Sequence, residues 1–173
     1  MQNKQNFISE LQKYIDGVGK YFQESKFDIY DLRIDHICYK CSTKEEYENI
    51  RGWFEFGQDL IYQAIISKRR IATVVFADKL QSVFGTVSTL ELSDQKPDNS
   101  QISGIDHIEM VWPGGDYDEF RKRIEGLGFK LEVDAKPHHT TYNFKLPDGK
   151  EIKLSAVSLV DKVAEEMRVL KNK

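Results

Sequence analysis

Apolar residues Phe7, Leu11, Ile15, Val18 and Phe22 recur at three- and four-residue steps, which predicts an amphipathic helix from Asn6 to about Ser25. The period then changes. Arg33 to Tyr39 alternates as a strand, and Ser42-Thr43-Lys44-Glu45 offers a capping box for a helix carrying Tyr47, Ile50 and Phe54. Three runs of strand character follow, Leu60–Ser67, Arg69–Phe76 and Gly85–Leu92, the last two separated by the polar segment Ala77–Ser82. Ser93 to Gly104 is polar, contains Pro97 and lacks apolar periodicity, so it reads as a linker.

The order then restarts. A strand runs through Val111, and Pro113-Gly114-Gly115 leads into a helix with Tyr117, Phe120 and Ile124 on one face. That helix stops at Gly126 and Gly128, and strands follow at Phe129–Val133, His139–Leu146 and Glu151–Ser155. Ser158 opens a last helix, with Asp161 at the capping-box position and Leu159, Val163, Met167 and Leu170 on one face. Each half reads βαβββ, and each opens on the same tetrapeptide, Ile-Asp-His-Ile, at Ile34–Ile37 and Ile105–Ile108. Tyr47-Glu48-Asn49-Ile50-Arg51 is echoed by Tyr117-Asp118-Glu119-Phe120-Arg121, so the helices follow in the same register. This is an internal duplication. It implies an α+β fold in which two paired βαβββ modules form a curved mixed-sheet cleft, with additional N- and C-terminal helices. We expect one domain over residues 1–173: an N-terminal helical extension (1–32), the modules (33–94 and 104–157) and a C-terminal helix (158–173).

Strand alternation places His36 and Cys38 on one face with Lys40, opposite Ile37 and Tyr39, and places His107 with Glu109 opposite Ile108 and Met110. On the closing strands Glu91 opposes Leu90 and Leu92, and Lys153 opposes Ile152 and Leu154 in the equivalent place. If the apolar faces pack on helices, the polar faces line a shared cleft that gathers His36, Glu91 and His107. Asp35 and Asp106 alternate away from the histidines and are expected to cap or anchor local loops.

Composition narrows the classes further. A net charge of −3 supplies no basic field for nucleic acid or an anionic membrane. No apolar run approaches membrane-spanning length, and the N-terminus lacks a secretory pattern, so a cytoplasmic location is expected. Cys38 and Cys41 have no second pair to complete a zinc site, and reduced thiols are expected. Lys68, Arg69 and Arg70 read as a solvated basic cluster, with an arginine entering the cleft as the rival.

The paired modules, the first-strand histidines and the glutamate in "TLEL" resemble the vicinal oxygen chelate (glyoxalase/dioxygenase-like) superfamily. "DHICYK", "STLELSDQK", "YNF" and "EIKLSAVSLVDKVAEE" further resemble its YecM-type branch. The resemblance implies a divalent metal (zinc, iron, manganese or nickel) on His36, Glu91 and His107. It departs at Lys153, where glyoxalase-like members commonly carry glutamate; a protonated lysine cannot coordinate metal. The implied function is a metal-dependent lyase, isomerase or dioxygenase acting on a small oxygen-containing substrate. The alternatives are a non-catalytic small-ligand module or a scaffold with a decayed site. His139, sharing a strand face with Thr141, Asn143 and Lys145, is the candidate auxiliary acid–base residue. A small-molecule partner, no nucleic acid, no membrane and a monomeric state complete the expectation.

Overall fold

The helical stripe of Phe7, Leu11, Ile15, Val18 and Phe22 forms α1 (Lys4–Glu24), and all five side chains are wholly buried. A computed structural model describes residues 3–25, 32–55, 59–111, 117–136, 139–155 and 157–171. The Pro113-Gly114-Gly115 loop and Pro137-His138 lie outside the described residues. Asn3 caps α1 by accepting from the Asn6 N–H at 2.9 Å. The chain continues through β1 (Arg33–Lys40), α2 (Lys44–Glu55), β2 (Leu60–Ile66), β3 (Arg69–Ser82) and β4 (Gly85–Ser93). The second round is β5 (Gly104–Val111), α3 (Tyr117–Gly126), β6 (Glu132–Lys136), β7 (His139–Lys145) and β8 (Glu151–Ser155), followed by α4 (Leu159–Lys171).

All eight strands join one mixed sheet in the order β2-β3-β4-β1-β5-β8-β7-β6. Each module has the same internal order, and the two meet where β1 and β5 pair antiparallel. The sheet is therefore pseudo-symmetric about a point near the pairing of Ile37 with Ile108, both wholly buried. Within each module the first and last strands, β1/β4 and β5/β8, run parallel.

One face of the sheet carries the core. Phe7 of α1 packs edge-on to Tyr39 of β1 at 4.9 Å between ring centroids. Phe22 contacts Phe84, between β3 and β4, at 5.5 Å and Phe144 of β7 at 6.4 Å, so α1 is bound to both halves of the sheet. The duplication leaves a surface that neither module helix covers alone, and α1 buries it. The last helix lies on the other face, where Leu159, Lys162 and Val163 line a cavity with residues of β1 to β5.

The structure revises several sequence boundaries. Helix α2 is capped one residue later than expected: Thr43 Oγ1 accepts from the Glu46 N–H at 3.0 Å, and Glu46 Oε2 accepts from the Ser42 N–H at 2.8 Å. Strand β3 continues past Phe76 to Ser82, because the polar segment keeps pairing with β4, Leu80 opposite Val87, after a register shift. Strand β6 starts at Glu132 instead of Phe129, whose ring packs against Tyr21 and Phe144. The polar stretch after β4 is no loose linker. Asp94, Gln95 and Gln101 are buried, and the Gln101 amide donates to the carbonyls of Cys41, Ser93 and Asp94. Side-chain hydrogen bonding to backbone here does the work that apolar periodicity does elsewhere.

Candidate metal centre

The two histidines stand on β1 and β5, the central strands, and are almost fully buried. Antiparallel pairing sets His36 opposite Glu109 and Cys38 opposite His107. The register is not uniform along this pair. Ile34 opposes Met110, but the next partners are His36 and Glu109, which leaves Asp35 as an extra residue. Cys38 opposes His107, but the next partners are Tyr39 and Ile105, which leaves Asp106 as its counterpart. Each aspartate thus occupies a β-bulge, and a bulge re-aims its side chain.

The expectation that Asp35 and Asp106 turn away from the histidines is overturned, because strict alternation fails at these bulges. Asp35 Oδ2 lies 2.7 Å from His36 Nδ1, and Asp106 Oδ2 lies 2.8 Å from His107 Nδ1. An ionised carboxylate only accepts, so each Nδ1 carries a proton, and in the neutral imidazole each Nε2 keeps its lone pair. This is the tautomer that binds a metal through Nε2, with the ring orientation locked from behind. Asp35 Oδ2 also accepts from the Leu159 N–H at 2.8 Å, tying the start of α4 to the site. Asp106 Oδ1 instead accepts from Lys40 Nζ at 2.5 Å.

Ligand-type atoms of His36, His107 and Glu109 all lie within 4.8 Å of one another, and all three residues are buried. The histidine rings are 6.1 Å apart between centroids, and His36 Nε2 is 3.8 Å from Glu109 Oε2. Two imidazoles of fixed tautomer and a carboxylate, converging within this span, fit a divalent transition ion. Glu91 is close by but outside this trio. It pairs with Cys38 across β1/β4, its Oε1 accepts from Cys38 Sγ at 3.3 Å, and it lines the same cavity as His36 and Glu109. Cys38, Asp106 and His107 form a second close group, but Asp106 already holds the His107 and Lys40 hydrogens. Burial and the neighbouring Glu91 carboxylate push the Cys38 thiol well above its ordinary value. Cys38 and Cys41 are both free and buried, as reduced thiols should be.

Charge around the two histidines is unequal. Burial alone would lower His36, yet the Asp35 bond and the Glu109 and Glu91 carboxylates outweigh it and raise its pKa above 6.5. His107 is lowered from 6.5, chiefly by burial, with Lys153 and His36 adding to the effect against the Asp106 bond. Lys153 does hold the place equivalent to Glu91, pairing with Glu109 as Glu91 pairs with Cys38. Their equivalent places do not bring Lys153 and Glu91 together as an ion pair among the described contacts. Lys162 from α4 approaches the trio, 3.6 Å from Glu109 Oε1 and 3.1 Å from Ser155 Oγ.

Glu109 and Lys162 were not singled out from sequence, although a signal for each was present. Glu109 shares its strand face with His107, and Lys162 lies three residues from Leu159 on the inward face of α4. His139 opens β7 opposite Lys136, four residues before Asn143, which pairs with Lys153. Its backbone is thus roughly 13 Å along the strand from the row that contains Glu109. Its side chain lies outside the described residues.

The cavity on this face measures about 180 Å3. His36, Glu91, Glu109 and Lys162 form its polar end, and Tyr62, Ala64, Ile66, Ile71, Leu159 and Val163 its largely apolar wall. Such a space admits a small molecule with an oxygen-rich end and a short apolar body.

The family model described as YecM protein matches residues 3–166. The chain belongs to the YecM family. One solved structure matches this YecM-family chain over nearly its whole length. The structure "Structural Genomics, Protein EC4020" superposes at a TM-score of 0.72 and 23% identity, covering 94% of this chain and 92% of that one. Methylmalonyl-CoA epimerase from Mycobacterium tuberculosis is similar at 13% identity and a TM-score of 0.47, covering 77% of this chain and 91% of that one. The Mn(II)-bound glyoxalase from Novosphingobium aromaticivorans is similar at 18% identity and a TM-score of 0.46, covering 72% of this chain and 38% of that one. No curated protein sequence matches the chain.

Proposed function

We propose that the protein binds one divalent metal through His36 Nε2, His107 Nε2 and the Glu109 carboxylate, and acts on a small oxygen-containing substrate as a lyase, isomerase or dioxygenase. One observation carries this reading: both Nδ1 atoms are bound to bulge aspartates, so both Nε2 lone pairs are free to converge with Glu109. A structural role for the histidines requires no such matched pair of aspartates. Glu91, on the wall of the same cavity, supplies a further carboxylate once its contact with the Cys38 thiol is released. When bound, the ion would polarise a substrate carbonyl or organise oxygen chemistry.

The chain's own residues prepare that site. Asp35 and Asp106 hold the imidazoles in one tautomer and orientation. Lys162 balances Glu109 in the metal-free protein, and it is placed to pair with an anionic substrate group once Glu109 turns to metal. Leu159 and Val163 of α4 add apolar surface to one side of the cavity. His139 stays outside the ligand set; an auxiliary acid–base role for it requires a substrate that reaches the start of β7. No described helix is long and apolar enough to cross a membrane. The reading is of a monomer acting in the cytoplasm, without nucleic-acid or membrane partners.

Titration of chelator-treated protein with zinc, manganese, nickel and ferrous iron tests the proposal. One equivalent should bind to the wild type and none to the His36→Ala/His107→Ala variant. Equal binding by the two proteins would overturn it and favour a scaffold with a decayed site.

A further inference from the structure

A second constellation lies away from the histidines, where the parallel pair β1/β4 ends. The turn Ser42–Lys44, the tip of the β2/β3 hairpin and the segment Asp94–Asn99 enclose an open cavity of about 870 Å3. Crevices beyond the carboxyl ends of parallel strands are recurrent ligand sites, because the loops leaving adjacent strands diverge there. Five cations line this one, Lys44, Lys68, Arg69, Arg70 and Lys96, against one carboxylate, Asp94.

That carboxylate is already engaged. Arg70 Nε donates to Asp94 Oδ2 at 2.8 Å, Arg70 also pairs with Glu48, and its guanidinium lies 4.5 Å from the Tyr47 ring centre. The reading of Arg70 as merely solvated is thereby corrected. Lys44, Lys68 and Arg69 have no ion-pair partner among the described residues, whereas Lys96 lies close enough to Asp98 for its charge to lower that carboxyl. The Arg69 Nε is buried and has no hydrogen-bond acceptor. Leaving such a donor unpaired is costly. Lys68 and Asn99, both on the wall, have φ of 64° and 55°, and Ser67 beside Lys68 has φ of 51°. Two consecutive positive φ values are the geometry of a tight two-residue hairpin turn, which holds Lys68 at the tip of β2/β3 on the cavity wall.

Lys44, Lys68 and Arg69, three cations without an ion-pair partner among the described residues, share one cavity in a chain of net charge −3. A phosphate group brings two charges and matches the planar fork of an arginine. The enclosure suits a small molecule more than the extended backbone of a nucleic acid. We propose that this cavity binds a phosphorylated small molecule of two or more negative charges, about the size of a nucleoside diphosphate. The site is independent of the metal centre.

The test is calorimetric titration of the full chain with ADP and with inorganic pyrophosphate at 50 mM and 200 mM salt. Wild type should bind at least one of them, more weakly at the higher salt. Tighter binding of ADP would show that the nucleoside is read as well as the phosphates; equal binding would assign recognition to the phosphates alone. Lys68→Ala/Arg69→Ala should bind at least tenfold more weakly. Lys44→Ala/Lys96→Ala, at positions outside the core, should show a loss in the same direction with an unchanged circular-dichroism spectrum. His36→Ala should bind like wild type. Failure of both probes to bind at millimolar concentration, equal binding by the wild type and both double variants, or capture of a ribo-oligonucleotide that ADP cannot displace would overturn the proposal.

Discussion

Glu109 and His36 are backbone partners across β1 and β5, and their side chains meet with Oε2 3.8 Å from Nε2. The duplicated tetrapeptide placed the two histidines, but the residue that joins them breaks the repeat. After each Ile-Asp-His-Ile the first module has Cys38 and the second has Glu109. Antiparallel pairing then puts Cys38 beside His107 and Glu109 beside His36, so one end of the dyad carries a thiol and the other a carboxylate.

Glu109→Gln should therefore weaken zinc binding by about a hundredfold or more, because it removes the buried anionic ligand from the trio. Glu91→Gln should cost less, about tenfold, since Glu91 is already in contact with the Cys38 thiol. Competition against a chromogenic chelator gives both constants. A larger loss for Glu91→Gln would move the carboxylate ligand to β4.

Asp35→Asn and Asp106→Asn should each reduce metal affinity by about 10- to 100-fold, the usual cost of releasing an imidazole from its orienting carboxylate. The two should differ elsewhere. Asp35 also accepts from the Leu159 N–H, so only Asp35→Asn should raise amide exchange in the first turn of α4. Hydrogen exchange by mass spectrometry reads the difference.

Metal affinity should fall with pH, and the fall should begin above pH 6.5, because the proton on His36 is held more tightly than usual. The metal-free fold should show two opposite trends. The raised pKa of His36 stabilises the folded chain below about pH 6.5 and ceases to do so as pH rises through its folded value. The lowered pKa of His107 acts oppositely, with stability lost as pH falls from about 6.5 through its folded value. In thermal melts, the advantage of wild type over His36→Gln should shrink as pH rises, and that over His107→Gln should shrink as pH falls.

Phe22→Ala should destabilise the protein by about 3–5 kcal/mol, since it removes a wholly buried ring that touches both halves of the sheet. Urea unfolding should remain one cooperative transition in wild type. Loss of only the second-module signal in the variant would show that α1 is dispensable to the first.

Much of this architecture was legible along the chain. The helical stripe of α1, the period-two strands and the repeated tetrapeptide follow from which side chains must leave water, and that requirement is local and periodic. The cap of α4 was equally readable, with Ser158 Oγ accepting from the Asp161 N–H at 3.1 Å. The departures occur where pairing between distant strands overrides a local period. Nothing near Ala77–Ser82 announces that its partner Gly85–Val87 will extend β3.

The sequence by itself determined the two modules, the face that carries His36 and His107, and the neighbourhood of Glu91. Only the tertiary structure decided that Asp35 and Asp106 turn back onto the histidines, that Glu109 closes the trio and that Lys162 arrives from α4. Alternation is a property of one strand, whereas a bulge arises when two strands of unequal residue count must stay in register. The approach of α4 likewise depends on the open face of an assembled sheet, and that face does not exist until both modules have paired.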